Sequence, residues 1–365
     1  MIRMVDLEAL HRPIQGELDR ATRRVMEHKR FIGGPEVEEF ERAFAAWTGY
    51  RHCVAVNSVT VALMLGILAL ELPKGATVAT VANAAIATVD AIVGAGCQLA
   101  WVDVEPATGL MNPHSLARVL EHEKVQLVLP VHFSGAPAPL PAIHALAMQH
   151  GAQVAVDACQ ALGTRVATLQ GLMPAGWGAR WAVYSFYPSE NLGALGAGGA
   201  IVTDDDEIAH RVHLLGHHGQ ARQNESLRPC FSEGMDTVQA AWLMAKLPHL
   251  SSWTRRRREL ASLYDRLLPA AIRLRHELYG ESVFRLYPVR VGRPDHIQAA
   301  LAVQGIESDV YRPHPACSLL AGHQPNLPAT RDLLSRVLSL PLHPHLTEDD
   351  VQYVAGYLLE ELAKA

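Results

Sequence analysis

The sequence predicts an α/β fold, three layers in which a mainly parallel sheet is covered by helices, with a smaller α+β unit at the C-terminus. Three observations predict it. Short apolar β-like runs alternate with helical patterns from about residue 52 to residue 203, and repeated strand–helix units of this length pair as parallel strands with helices on both faces. After about residue 246 the pattern changes to longer helices framing one strand-like run. The chain has 365 residues, which suits one large and one small domain better than one compact core. We expect a large domain over 1–245 and a small one over 246–365.

Taken in order, HCVAV (52–56) is a buried-strand run and Thr60 to Leu70 an apolar helix. TVATVA (77–82), LAWVDV (99–104), VQLVLPVHF (125–133), AQVAVDA (152–158) and WAVYSF (181–186) repeat the strand form. Helical patterns at 86–95, 114–122 and 139–150 lie between them, and GGAIVTD closes the series. Beyond the change of pattern, a helix is predicted over 254–269, a strand over FRLYPVRV (284–291) and a helix over HIQAALAVQ (296–304). The last helix starts after Leu346, with Thr347 as N-cap and Asp349 and Asp350 in its first turn.

The balance of 49% hydrophobic and 19% charged residues is that of an ordinary folded protein. A net charge of −5 argues against nucleic acid or an anionic membrane surface as partner. The one basic run, Arg255 to Arg258, lies on a helical pattern and reads as a solvated helix face. The opening MIRMVDLEALHRPI has acids and no long apolar core, and the longest apolar run, Val59 to Leu72, is too short for a bilayer. Five cysteines without CxxC spacing point to a reduced, cytoplasmic protein. His210, His213 and His217 fall on one helix face, but without HExxH or Cys/His ligand spacing they read as polar surface, and no metal is expected.

Ligands in such folds bind beyond the carboxyl ends of the strands, so the residues after each strand carry the functional reading. Asn57-Ser58-Val59-Thr60 brings hydroxyls and free N–H groups to a helix start, which makes either an anion site or a plain N-cap. Asp157 ends a strand with Gln160 three residues on. Its carboxylate can pair with a protonated heterocycle, act as a base, or simply cap the next segment. Ser185 ends another strand and offers a hydroxyl. The loop after it, in SFYPSENLGALGAGGAIVT, has glycines at 193, 196, 198 and 199, and its prominent charge is the acid Glu190. Such loops usually hold small charged ligands, although a loop acid standing alone is as ordinary as any exposed carboxylate.

Together these segments are more specific than apart. FIGGPEVEEFERAFAAWTG, WVDVEPATGLMNPHSL, VLPVHFSGAPAPLPAI, VDACQALGT, SFYPSENLGALGAGGAIVT, the VQAAWLMAKL helix and LSLPLHPHLTEDDV occur in the order found in the DegT-type nucleotide-sugar aminotransferases. From about Gly33 to the last helix the chain resembles that family of pyridoxal-phosphate enzymes of the aspartate-aminotransferase fold. The resemblance implies that Asp157 faces the pyridine nitrogen, Gln160 lies near the ring, and Ser185 and Thr60 hold the phosphate. It also implies that the Schiff-base lysine of the family's SFxPxKNLG corresponds to Glu190. A carboxylate cannot form an imine, though it can relay a proton.

Other departures follow the same alignment. The aromatic residue that stacks on the ring falls at Ala85, the neighbouring subunit's Asn-x-Arg at Ser232 and Gly234, and the aspartate of GDGG at Ala197. Each removes grip on the cofactor, so the expectation is a degenerate homologue that binds or acts on a nucleotide-linked sugar without Schiff-base transamination and without bound cofactor. Two alternatives stand beside it. In one, Asp157 and Glu190, with His218 or Tyr187 nearby, do cofactor-free acid–base chemistry. In the other, Asp157, Gln160, Ser185 and Thr60 hold pyridoxal phosphate or pyridoxamine phosphate without a covalent link. The family implies a homodimer, or a heterodimer with an active paralogue.

Overall fold

The computed structural model describes residues 1–222, 225–226, 231–312 and 326–364. The chain begins with helices α1 (Leu7–His11), α2 (Gln15–His28) and α3 (Pro35–Thr48). The α/β series then runs β1 (His52–Val56), α4 (Val59–Ala69), β2 (Thr77–Val81), α5 (Ile86–Gly94), β3 (Gln98–Val102), α6 (Pro113–His122), β4 (Val125–Val128) and α7 (Leu140–Gln149). It continues through β5 (Gln153–Val154), β6 (Val156–Asp157), β7 (Arg165–Thr168), β8 (Gly171–Pro174), β9 (Ala182–Ser185), β10 (Gly199–Thr203) and α8 (Asp206–Gly216). A short hairpin, β11 (Gln220–Arg222) and β12 (Glu225–Ser226), precedes α9 (Thr237–Lys246) and α10 (Leu250–Leu267). The rest is β13 (Gly280–Glu281), β14 (Tyr287–Arg290), α11 (Pro294–Val303), α12 (Pro328–Arg336), β15 (Val337–Leu340) and α13 (Glu348–Lys364).

The central sheet forms in two halves. One has the order β3-β2-β4-β5, all parallel, and the other β1-β10-β9-β6, in which β10 runs antiparallel to both neighbours. The segment 153–157 belongs to both. Ala155 donates to Val128 O at 3.1 Å, and the next residue, Val156, donates to Trp181 O at 3.0 Å. The strand predicted over 152–158 is therefore two short strands, because its pairing partner changes at Ala155. The strand predicted over 125–133 ends at Val128, since Pro130 has no N–H to continue the ladder, yet Pro130 O still accepts from Asp157 N at 3.0 Å.

One face of the sheet packs against α4 and α8 through Val54, Val56, Leu63, Ile201 and Val212. The other carries the larger core, which draws Leu18, Phe40, Phe44, Phe186 and Leu243 from helices and loop. A separate cluster in the C-terminal part joins Leu260, Tyr264, Tyr287, Leu301, Leu340 and Val354. The last helix starts as its sequence predicts: Thr347 Oγ1 accepts from Asp350 N at 3.0 Å, and Asp350 Oδ2 accepts from Thr347 N at 2.9 Å. Among the described residues no helix is long and apolar enough to cross a membrane.

Candidate functional site

The register of the sheet sets the site. Val56 at the end of β1 lies opposite Gly199, and Gly199 opposite Ser185 at the end of β9. Asp157, at the end of β6, pairs with Val183 on β9. The carboxyl ends of three strands thus reach one edge, where the loops carrying Thr60, Asp157, Ser185 and Glu190 begin. Gly199 is required there, because a Cβ on it would meet Ser58 C and O and Val59 Cα, all backbone, at 2.9 Å.

Asp157 is buried, 3% exposed. Its Oδ2 accepts from Thr88 Oγ1 at 2.6 Å and its Oδ1 from Cys159 N at 3.1 Å. These two bonds hold the carboxylate in one orientation, and the helix α5 that carries Thr88 sits directly behind it. His132, fully buried, backs the same strand end: its N–H donates to Asp157 O at 3.0 Å. Its Nε2 contacts Ala175 O at 2.7 Å, and its Nδ1 accepts from Ala138 N at 2.8 Å. That pattern fixes a neutral imidazole, and burial pushes its pKa down to about 4. Gln160 Oε1 accepts from Ser134 N at 2.9 Å, which pins its amide on the loop after Asp157.

Glu190 has two roles open to a carboxylate, free base or ion-pair partner, and the structure shows the second. Its Oε2 accepts from Arg285 Nε at 2.8 Å, with the two side chains 12% and 9% exposed. Arg285 also donates from Nη2 to Ser189 Oγ at 3.0 Å. A second guanidinium, Arg257 on α10, is 5% exposed and donates to Leu342 O at 2.6 Å. Burial pushes the Glu190 carboxyl up from its ordinary value; Arg285 and then Arg257 pull the other way, and Asp157 adds to the rise. Arg257 is pushed down to about 9, by burial first and by Arg285 second. The loop is tied from behind by Lys246, fully buried, whose Nζ donates to Gly193 O at 2.5 Å and lies 3.1 Å from His11 Nε2.

At the other end of the site Ser58 caps α4, accepting from Val61 N at 3.3 Å, as the plain N-cap reading predicts. Thr60 is half-buried in the first turn. A carboxylate stands beside this helix start: Glu233 Oε2 accepts from Asn57 Nδ2 at 2.5 Å, while Asn57 N donates to Glu233 O at 2.9 Å. Ser185 Oγ accepts from Tyr187 N at 3.2 Å. Ala85, Ala197 and Ser232 are exposed, and Tyr187 is 60% exposed. His218 lies in the exposed turn after α8, in left-handed backbone, its N–H donating to Phe231 O at 2.7 Å. It shares no strand or loop with Asp157 and Glu190.

Arg285, Arg257, Thr88, His132 and Glu233 do not stand out in the sequence. Arg257 has a readable signal, since it continues the buried stripe Trp253, Leu260, Tyr264 at helical spacing. The run Arg255 to Arg258 is thus not one solvated face: Arg257 points inward, Arg256 bonds Leu346 O, and Arg258 pairs with Glu281.

Comparison with known proteins agrees with this architecture. The chain is 33% identical, over 94% of its length and 91% of the relative's, to the dTDP-3-amino-3,4,6-trideoxy-alpha-D-glucose transaminase of Streptomyces venezuelae. It is 31% identical, over 98% of its length and 99% of the relative's, to the UDP-2-acetamido-2-deoxy-3-oxo-D-glucuronate aminotransferase of Pseudomonas aeruginosa. The structure of S. venezuelae DesV in complex with a ketimine intermediate superposes with a TM-score of 0.94 at 31% identity, covering 100% of this chain and 99% of that one. The family model for DegT/DnrJ/EryC1/StrS aminotransferases matches residues 13–359, and the chain belongs to that family.

Proposed function

We propose that this chain is a degenerate sugar aminotransferase that binds or acts on a nucleotide-linked sugar in carbohydrate or natural-product biosynthesis without Schiff-base transamination. One observation carries the reading: Glu190, in the position that family resemblance gives to the imine-forming lysine, is held by Arg285 at 2.8 Å in a buried ion pair. The residues present do not fit an imine-linked pyridoxal phosphate. A carboxylate cannot form the imine. The amine that touches this loop, Lys246, is fully buried and directed at Gly193 O and His11. At the phosphate end the Glu233 carboxylate sits on Asn57, where an anion is disfavoured by like charge. Ala85, which is exposed, offers a methyl group where the family resemblance expects a ring.

The relatives' names support the substrate class, since both sugar transaminases above act on dTDP- or UDP-linked sugars. We place the protein in the cytoplasm as a homodimer, or as a heterodimer with an active paralogue. The test is calorimetric titration with dTDP- and UDP-sugars, beside gel filtration after addition of pyridoxal phosphate or pyridoxamine phosphate. Saturable sugar-nucleotide binding with no cofactor retained is the expected result. Retained pyridoxamine phosphate favours a lysine-independent enzyme. Neither ligand bound, by the chain alone or with a paralogue, removes the proposal.

A second reading draws on the same pair. Glu190 is within electrostatic reach of Asp157, and burial raises it, which is the arrangement of an acid and a base sharing a cleft. Cofactor-free turnover lost in Glu190→Gln distinguishes it from a binding role.

A further inference from the structure

Behind the loop that carries Asp157 and Gln160 lies a cavity of about 330 Å³. One wall is a single face of α10, where Ser251, Thr254, Arg255 and Arg258 recur at helical spacing. The opposite wall brings Arg165 from β7, and Trp47 from the end of α3 closes one side. Glu281 is the single carboxylate in the lining. Its charge is matched by Arg258, whose Nη1 lies 3.1 Å away while its Nε donates to Ser282 O at 2.8 Å. Arg165, which lies opposite Glu281 in the β7–β13 register, and Arg255 have no ion pair among the described residues, and the three guanidiniums of the lining outnumber its one carboxylate.

Thr254 also belongs to the lining, although its hydroxyl does not reach the open space. Thr254 is 8% exposed, and its Oγ1 is buried without a hydrogen-bond partner. A buried hydroxyl without a partner is costly and uncommon in folded proteins. Unpaired guanidiniums converging on a concave site of this size are the donors that recognise phosphate and carboxylate oxygens. The aromatic face of Trp47 and the wall of Pro174 add apolar contact for a carbon skeleton.

We propose that this cavity is a binding site for a small oxyanion-bearing metabolite, with Arg165 and Arg255 as its charge partners. It is separate from the cleft of Asp157 and Glu190 but shares two walls with it. Gly163 and Thr164 line the cavity at the end of the loop that begins at Asp157. Arg257, between Arg255 and Arg258 on α10, turns the other way, toward Glu190 and Arg285. The site stands independently of the function proposed above, because its proposed charge partners, Arg165 and Arg255, are not residues of that cleft.

The experiment is isothermal titration of the full-length protein at low ionic strength with three probes: inorganic phosphate, glucose 6-phosphate and glutamate. Saturable binding of about one probe per chain is expected, with a dissociation constant on the order of 0.1–1 mM. Arg165→Gln and Arg255→Gln should each weaken it about tenfold, as loss of one charge-assisted contact does. Arg118→Gln on α6 should not change it. Binding of the two phosphates alone identifies a phosphate ligand, binding of glutamate alone a carboxylate, and binding of all three a simple oxyanion site. Absence of saturable binding by every probe overturns the proposal, as does binding that the Arg165 and Arg255 variants leave unchanged. Arg165 and Arg255 are exposed, so circular dichroism of their variants should match the parent, and a change in binding then reports on the site rather than on misfolding.

Discussion

Replacing Arg285 with leucine leaves the Glu190 carboxylate buried without its guanidinium. The parent pair is close, 2.8 Å between Nε and Oε2, and both side chains are about nine-tenths buried. Removing one partner of a buried ion pair costs about 3–5 kcal/mol, most of it the penalty on the charge left behind. Glu190 has an escape, since it can take up a proton. Its folded pKa already lies above the ordinary value because burial outweighs Arg285 and Arg257. The folded chain therefore binds more protons than the unfolded one between the ordinary and the raised pKa, and stability falls as pH rises through that window. Without Arg285 the folded pKa rises further and the window widens. Arg285→Leu should lose about 3–5 kcal/mol near pH 8 and less near pH 5. The double change Glu190→Leu with Arg285→Leu should be less destabilised than the single one at the higher pH. Urea unfolding followed by tryptophan fluorescence at both pH values measures this. A loss below about 1 kcal/mol, or one that does not change with pH, would refute the coupling.

Three further perturbations test other parts of the site. If the proposed function holds, Glu190→Lys supplies an amine without a grip around it, so added pyridoxal phosphate should give no imine band that survives gel filtration. A retained band would count against that proposal. Burial holds Lys246 down to about 8, so the parent should gain about 2 kcal/mol of stability as pH rises from about 8 to about 10, a slope that Lys246→Met should abolish; an unchanged slope would assign it to another group. Gly199→Ala should cost about 1–3 kcal/mol by forcing β10 off the start of α4, read as a lower urea midpoint at constant slope; an unchanged midpoint would mean the two segments separate freely.

Much of this molecule is legible in the sequence, and the rest is hidden for identifiable reasons. Strands and helices follow from local periodicity, so HCVAV, TVATV and GAIVT lie where the apolar runs predict them. Boundaries go wrong where partners decide. AQVAVDA reads as one strand, but its neighbour changes from β4 to β9 at Ala155, which no local pattern records. Asp157, Gln160, Ser185 and Glu190 are visible because they follow strand ends. Arg285 is not, because it opens an apolar strand-like run 95 residues away and meets Glu190 only through the tertiary fold. Arg257 is hidden by its neighbours: four arginines in a row look like surface, although helical spacing puts one of them on the buried stripe.

The charges of the cleft depend on one another, and that bears on how such a site arises. Arg285 and Arg257 are 7% and 5% exposed, and burying a guanidinium without a counter-charge costs several kcal/mol. Glu190 supplies that counter-charge, and Arg285 in turn keeps Glu190 from standing alone beside Asp157. A lysine at 190 would add a third cation beside the two guanidiniums, so its exchange without answering changes at 285 or 257 carries a charge penalty. The same holds at the far end, where Glu233 reaches Asn57 through its side chain and receives the Asn57 N–H on its backbone carbonyl. Glu190 and Glu233 therefore each carry their own partner, and neither acid stands as an unpaired charge in the cleft.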